Sequence, residues 1–228
     1  MPIFNQSYFN KLDDFRHELK FINYNLSLSD ISNIIQFNQF IYYNHYPDRW
    51  VNNIYFDNNN LDSMRQSIEG SYMRYKTRLR WYEDFSSIKD PRMEVKIKKG
   101  YLNTKLIYKC SYSSQNVDEP FMMDKINYHN PVISNIFKGI RPVICNRYLR
   151  RYLISEDKKI RITIDTKLQF SSINKKKLIN NAWKKTSPTI VELKFDDFNY
   201  APRNLMSFLK NNFSVTQISK YTLGCNSI

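Results

Sequence analysis

A chain of 228 residues with 42% hydrophobic and 15% aromatic side chains can bury a core, which excludes a disordered tail. Its 35 Lys and Arg against 21 Asp and Glu leave a net charge of +14, which favours a polyanionic partner: nucleic acid, an anionic membrane surface or a phosphate-rich substrate. Cys110, Cys145 and Cys225 are too far apart for a disulfide framework or a zinc site, and no apolar run approaches the roughly 18–20 residues of a membrane span.

With no Pro-, Gly- or Ser-rich linker, one domain over 1–228 is expected, in a reducing, cytoplasmic setting. In chain order, SYFNKLDDF predicts a short amphipathic helix and RHELKFIN the first strand. SLSDISNIIQFNQFIYYN predicts a helix with Ser29 or Asp30 as N-cap and Ile31, Ile34 and Ile35 at helical spacing. RWVNNIYFDN reads as a strand ending in the polar turn at 58–60, and SYMRYKTRLRWYE and PRMEVKIKKG as successive antiparallel strands, with a weaker strand in NTKLIYKCSY. Residues 119–138 read as helical pieces around Pro131. Two long strands follow, RPVICNRYLRRYLIS and KKIRITIDTKLQF, then the strand TIVELKFDD, a helix in PRNLMSFLKNNF and a trailing SKYTLG. Strands with helices at the beginning, middle and end predict an α+β fold, an antiparallel sheet or closed barrel flanked by helices.

Five of these strands alternate ionic and apolar side chains. Arg16, Glu18 and Lys20 oppose His17, Leu19 and Phe21; Lys76, Arg78, Arg80 and Tyr82 oppose Tyr75, Thr77, Leu79 and Trp81. Glu94, Lys96 and Lys98 oppose Met93, Val95 and Ile97; Arg161, Thr163, Asp165 and Lys167 oppose Ile160, Ile162, Ile164 and Leu168; Glu192 and Lys194 oppose Val191, Leu193 and Phe195. One such strand is an ordinary half-wet strand. Five, with Arg and Lys dominant and Glu-x-Lys occurring three times, predict ionic faces turned inward and apolar faces covered by helices. Trp50, Phe56, Leu79, Ile162, Val191, Leu193 and Phe208 are the expected packing residues, and Asp57 and Asp165 read as turn or strand-end partners of nearby cations.

A cation-lined interior is costly when empty, because two unit charges about 7 Å apart repel by roughly 2 kcal/mol at an effective dielectric near 20. Carboxylates, water and a bound polyanion must offset this. Four glycines, with no GxxxxGK[ST] or GxGxxG, leave side-chain guanidinium and ammonium groups to bind phosphate.

From Arg16 to Gly224 the pieces RHELKF, NNIYFDN, YKTRLRWY, MEVKIKKG, YLRRYL, IRITIDT, VELKF and SKYTLG resemble, in order, the VTC domain of the triphosphate tunnel metalloenzyme (CYTH-like) superfamily, a polyphosphate polymerase domain. The resemblance implies an antiparallel β-barrel tunnel with inward-facing charged residues, and transfer of the γ-phosphate of ATP onto a growing inorganic polyphosphate chain with Mn2+ or Mg2+. It gives phosphate-contacting or catalytic roles to Arg78, Arg80, Lys96, Arg150 and Arg161. Lys20, Lys105, Lys194 and Lys220 become further phosphate contacts, Arg150 being favoured over Arg147 and Arg151 by the Tyr148-x-Arg150 element. Glu192 matches the metal-binding glutamate, and Glu18 and Glu94 either join it or neutralise their lysines. ATP and polyphosphate are the expected partners, with no specific nucleic acid. Two other readings stay open: an inorganic or nucleoside triphosphatase using the same tunnel, and a non-catalytic polyphosphate- or RNA-binding module in which Tyr72, Tyr75, Trp81 and Tyr82 would serve as stacking platforms.

Overall fold

The computed structural model describes residues 17–36, 41–100, 102–109, 139–173, 183–186, 188–195, 203–217 and 219–228. The expected helices at 7–15 and 119–138, and Pro202, lie outside these. Among the described residues ten strands form one antiparallel sheet: β1 (His17–Asn23), β2 (Tyr42–Asp57), β3 (Met73–Tyr82), β4 (Arg92–Lys99), β5 (Leu102–Lys109), β6 (Arg141–Ser155), β7 (Ile160–Ser172), β8 (Lys184–Lys185), β9 (Thr189–Phe195) and β10 (Ser214–Val215). Their order is β10-β1-β9-β7-β6-β2-β3-β4-β5, with β8 added on β7.

The sheet curls but does not close into the expected barrel. Among the described residues β10 and β5 are its edges, and β10 is only two residues long, so no backbone ladder joins the ends. Side chains span the gap instead: Lys96 on β4 comes within 3.4 Å of Glu18 on β1, six places away in the strand order.

Alternation sorts the side chains as the pattern requires. Two apolar clusters lie on the face opposite the ions. One gathers Ile54, Phe56, Leu79, Trp81, Met93, Val95 and Ile97. The other gathers Phe21, Ile160, Ile162, Ile164, Val191, Leu193 and Phe195 beneath Ile31 and Ile35 of helix α1 (Leu28–Gln36) and Leu205 and Leu209 of helix α3 (Arg203–Asn212). Leu205 and Leu209 are the buried stripe of α3, one turn apart, while the expected Phe208 is half-buried, as is Trp50.

The α1 helix starts earlier than read: the Ser27 hydroxyl accepts from the Asp30 amide at 3.2 Å while the Asp30 carboxylate accepts from the Ser27 amide at 2.9 Å, a reciprocal cap. Tyr42 and Tyr43, read as its tail, open β2. A helix the pattern did not suggest, α2 (Asp62–Glu69), is held at its start by Asp57, whose carboxylate accepts from the Ser63 and Met64 amides at 3.0 Å, and ends at Gly70 with φ 72. Asp57, the last residue of β2, thus ties the strand end to the start of α2 rather than pairing with cations. No described helix is long and apolar enough to cross a membrane.

A third apolar cluster breaks the simple alternation. In β7 a bulge opposite Tyr148, with Lys167 at φ 53, shifts the register. Leu168 and Phe170 therefore join Tyr148, Val51, Tyr55, Ile144 and Ile190 on the ionic side, not the expected apolar one. The trailing SKYTLG folds as a one-and-a-half-turn helix, α4 (Lys220–Cys225), whose Tyr221 packs into this cluster. Ser219 and Thr222 make a capping box at its start. A Cβ at Gly224 would collide with Phe170 and come within 2.6 Å of Ile144, so only glycine lets the helix lie this close.

Candidate active site

The Glu-x-Lys repeats acquire their meaning from register. Strands β1 and β9 run antiparallel with Glu18 opposite Lys194 and Lys20 opposite Glu192. Two copies of one motif thereby form a checkerboard in which each carboxylate faces the other strand's ammonium, at 3.8 and 3.9 Å, and Lys20 also holds Glu18 at 2.9 Å. Burial alone would raise the Glu18 carboxyl, but Lys20, Lys96 and Lys194 outweigh it and hold it well below the usual carboxylate range. Lys20 is shifted the other way: burial opposes its charge, yet Glu192 and Glu18 keep it protonated above its ordinary range.

Three arginines point into the interior from β3 and β6, which flank β2. Arg78 donates from both Nε and Nη2 to Glu94 Oε2, at 2.7 and 2.5 Å. Arg80 is nearly buried; it donates to Asn53 Oδ1 at 2.8 Å and to the Tyr148 hydroxyl at 3.1 Å, with Glu94 3.8 Å away. Arg150 makes a two-pronged bond to Asp165 at 2.5 and 2.7 Å, and its guanidinium lies 4.0 Å from Glu192. Despite burial, Arg78, Arg80 and Lys105 hold the Glu94 carboxyl far below its usual range. Burial likewise opposes ionisation of Asp165, and Arg150 and Lys220 overcome it.

Helix α4 carries Lys220 into the same interior. Its ammonium sits 2.5 Å from Asp165 and 3.5 Å from Glu192, 4.9 Å over the Tyr148 ring. Burial works against this charge, but Asp165 and Glu192 hold it protonated. Tyr221 donates to Asp57 at 2.6 Å, so the carboxylate that starts α2 also anchors α4.

The structure thus brings together Lys20, Arg78, Arg80, Lys96, Arg150, Lys194 and Lys220 with Glu18, Glu94 and Glu192; Lys105 reaches Glu94 at 3.5 Å from the more exposed strand β5. Arg161 is placed apart. It shares the ionic face, opposite Lys194, but is exposed and lies four residues, about 13 Å, along the strand from Asp165. Arg147 and Arg151 point to the other face, Arg147 stacking 4.0 Å over Trp50 and Arg151 pairing with Asp48 at 2.7 Å. Of the aromatic candidates, Trp81 and Tyr75 belong to the outer cluster, Tyr82 lies 4.1 Å under Arg49, and Tyr72 is exposed.

Asp165 is the expected partner of nearby cations, Arg150 and Lys220, but it sits fully buried in the middle of β7 rather than at a turn or strand end. Its parity with Arg161 and Thr163 was visible, but the register that sets it opposite Arg150 was not. Asn53 and Asn146, which line the same interior beside Tyr148, carry no signal beyond their spacing, and Asn53 donates to Asn146 at 2.8 Å.

The three glutamates do not gather into a cluster. Among the described residues no three Asp, Glu, His or Cys side chains come close enough together to hold a metal ion. Glu94 is enclosed by Arg78, Arg80 and Lys105 and serves as their counter-ion. Glu192 and Glu18, likewise ionised and surrounded by cations, differ in lying on paired strands and sharing one ammonium, that of Lys20. Ionised carboxylates in ones and twos suit a small hard cation that takes its remaining ligands from water and phosphate.

The antiparallel sheet thus curls around arginine and lysine tips with carboxylates as their counter-ions, an arrangement whose charge suits compact anions. The sequence matches the VTC domain family over residues 13–228, and the chain belongs to that family. Among solved structures, a candidate adenylate cyclase from Bacillus halodurans shares the fold with a TM-score of 0.50 at 12% identity, over 91% of this chain and 94% of that one. A candidate adenylate cyclase from Vibrio parahaemolyticus gives 0.49 at 12% identity, over 91% and 96%. A Pyrococcus horikoshii protein gives 0.48 at 10% identity, over 93% and 100%. At such identities these likenesses concern the fold alone. No functionally curated protein matches the sequence significantly.

Proposed function

We propose that this protein is a metal-dependent phosphotransferase that moves the γ-phosphate of ATP onto an inorganic polyphosphate chain. The observation that carries the reading is the convergence of Arg78, Arg80 and Arg150, from two separate strands, on one interior where Glu94 and Asp165 hold the guanidiniums in place. Phosphoryl transfer needs positioning and charge stabilisation more than covalent help, so preset donors are the main requirement. The three arginines grip the triphosphate, exchanging part of their bonding to Glu94 and Asp165 for phosphate oxygens. Lys20, Lys96 and Lys220 neutralise charge that builds on the equatorial and leaving oxygens. Lys194, Lys105 and the exposed Arg161 receive the anion at the rim. Glu192, with Glu18, would hold a divalent cation such as Mn2+ or Mg2+, which supplies charge neutralisation at the phosphate oxygens when bound.

One feature favours a second reading. Helix α4 fills part of the interior, with Tyr221 and Gly224 against Phe170 and Ile144, which leaves a long product less room to thread. Water as acceptor would then make the protein a triphosphatase. Incubation with ATP and Mn2+, with and without a short polyphosphate primer, separates the two. Long-chain phosphate is the expected product; orthophosphate without polymer would replace transfer by hydrolysis, and neither product would refute both.

A further inference from the structure

The third Glu-x-Lys repeat is not paired like the other two. Across β3 and β4, Glu94 faces Arg78, but the next pair along the same face is Lys76 opposite Lys96, and the one after is Arg74 opposite Lys98. On the other side of β4, Lys96 faces Lys105. Three lysines therefore stand abreast on three neighbouring strands, and a further cation pair follows about 7 Å along. Like charges directly opposite in a sheet are destabilising, so a ladder does not gather them without compensation.

Carboxylates supply that compensation only in part. Lys96 has Glu18 at 3.4 Å and Lys105 has Glu94 at 3.5 Å. Among the described residues Lys76, Lys98 and Arg74 have no carboxylate within ion-pair distance, and the one hydrogen bond of the Arg74 guanidinium goes to the Ser71 carbonyl at 2.8 Å. All three are only partly exposed, so water solvates them incompletely. Burial, with Lys20, Lys96, Arg74 and Lys98 around it, pushes the Lys76 ammonium down to about 7, which is the direction expected of a cation with nothing to balance it.

We propose that Arg74, Lys76 and Lys98 form a second phosphate subsite, continuous with the arginine cluster, that holds the phosphates of a condensed chain lying beyond a bound triphosphate. The row runs straight on from Arg78 along one face of two hydrogen-bonded strands, so a single extended polyanion can cross both groups. Among the described residues no aromatic ring stands between these cations: Tyr75, within this stretch of β3, packs into the outer cluster, and the exposed Tyr72 precedes the row. Polyphosphate, a chain of charge without bases, matches this better than single-stranded RNA, whose binders pair basic grooves with aromatic platforms. The inference rests on the proposed reading of the arginine cluster as a triphosphate site.

The test compares two ligands on the full chain, tripolyphosphate and a polyphosphate several times longer, by titration calorimetry across a salt series. In the double variant Lys76→Gln/Lys98→Gln, affinity for the long chain is expected to fall about tenfold, and the slope of its logarithm against log salt to shrink by about 1.4, as for two lost phosphate contacts. Affinity for tripolyphosphate stays within about twofold, and Lys76→Arg/Lys98→Arg, which keeps both charges, restores the long-chain affinity. Unchanged long-chain affinity, or equal loss for both ligands, overturns the subsite while leaving the triphosphate site standing. An RNA oligomer that binds as tightly as polyphosphate and loses as much on substitution overturns the choice of ligand. Wild-type protein that fails to bind tripolyphosphate overturns the reading beneath it.

Discussion

Glu94 shows how one side chain can hold a site in readiness. Its carboxylate is almost wholly buried and is shared by Arg78, Arg80 and Lys105, so it neutralises cations that would otherwise repel one another, and it fixes the plane of the Arg78 fork. Replacing it with glutamine leaves buried guanidiniums unpaired, and we expect Glu94→Gln to lower stability by about 3 kcal/mol in urea unfolding, the lower end for a broken buried pair because Arg78 keeps some contact with water. Tripolyphosphate should return more stability to this variant than to the wild type, since it replaces the missing negative charge. Lys76 presents the opposite case. Its ammonium titrates near 7 in the folded chain against 10.5 as an isolated group, so the unfolded chain binds the extra proton between those values. The penalty is complete below pH 7 and is relieved as pH rises toward 10.5. Lys76→Met should therefore stabilise the protein, by more at pH 6 than at pH 10; an equal gain at both would show that the lysine carries no such penalty.

At the scale of elements, α4 links the site to the rest of the fold. The Ser219–Thr222 box starts it, Tyr221 ties it to Asp57, and Gly224 allows close packing on Phe170 and Ile144. Ser219→Ala should cost about 1 kcal/mol through the lost cap. Gly224→Ala should cost about 1–3 kcal/mol by overpacking and, because the helix must back away, should weaken tripolyphosphate binding through Lys220. Thermal unfolding and ligand titration of the two variants check both effects; a Gly224→Ala protein with unchanged binding would detach α4 from the site.

The same elements mark what could be read from sequence. Alternation identified β1, β3, β4, β7 and β9 and assigned Glu18, Lys20, Arg78, Arg80 and Lys96 to one face, because period two depends only on the strand itself. Register is a property of two strands, so the reciprocal pairing of Glu18–Lys20 with Glu192–Lys194, and of Arg150 with Asp165, was not visible. A bulge residue such as Lys167, which is ordinary in composition, moved Leu168 to the other face. Short helices escaped for a related reason: α2 has only Met64 and Ile68 at helical spacing and buries no residue, and α4 is six residues long, too short to display a period.

Over the whole molecule, the apolar clusters lie mostly on one face of the sheet and the charges on the other, the reverse of a small barrel filled with hydrocarbon. Four ionised carboxylates, Glu18, Glu94, Asp165 and Glu192, offset part of the enclosed positive charge. All four titrate lower folded than unfolded, so their stabilisation is present above about pH 4.5 and is lost as pH falls through their depressed values. Acid unfolding should accordingly extend well below pH 4, and bound polyphosphate should raise the melting temperature more at low salt than at high salt.

Phosphate must enter the curled sheet for any of this chemistry to occur. The most direct test is a crystal structure of the protein with tripolyphosphate and Mn2+. The phosphates should lie on the inner face, with Arg78, Arg80 and Arg150 each within hydrogen-bond distance of a phosphate oxygen. Phosphates bound only on the outer surface, with those three arginines still turned wholly to Glu94, Asn53, Tyr148 and Asp165, would contradict it.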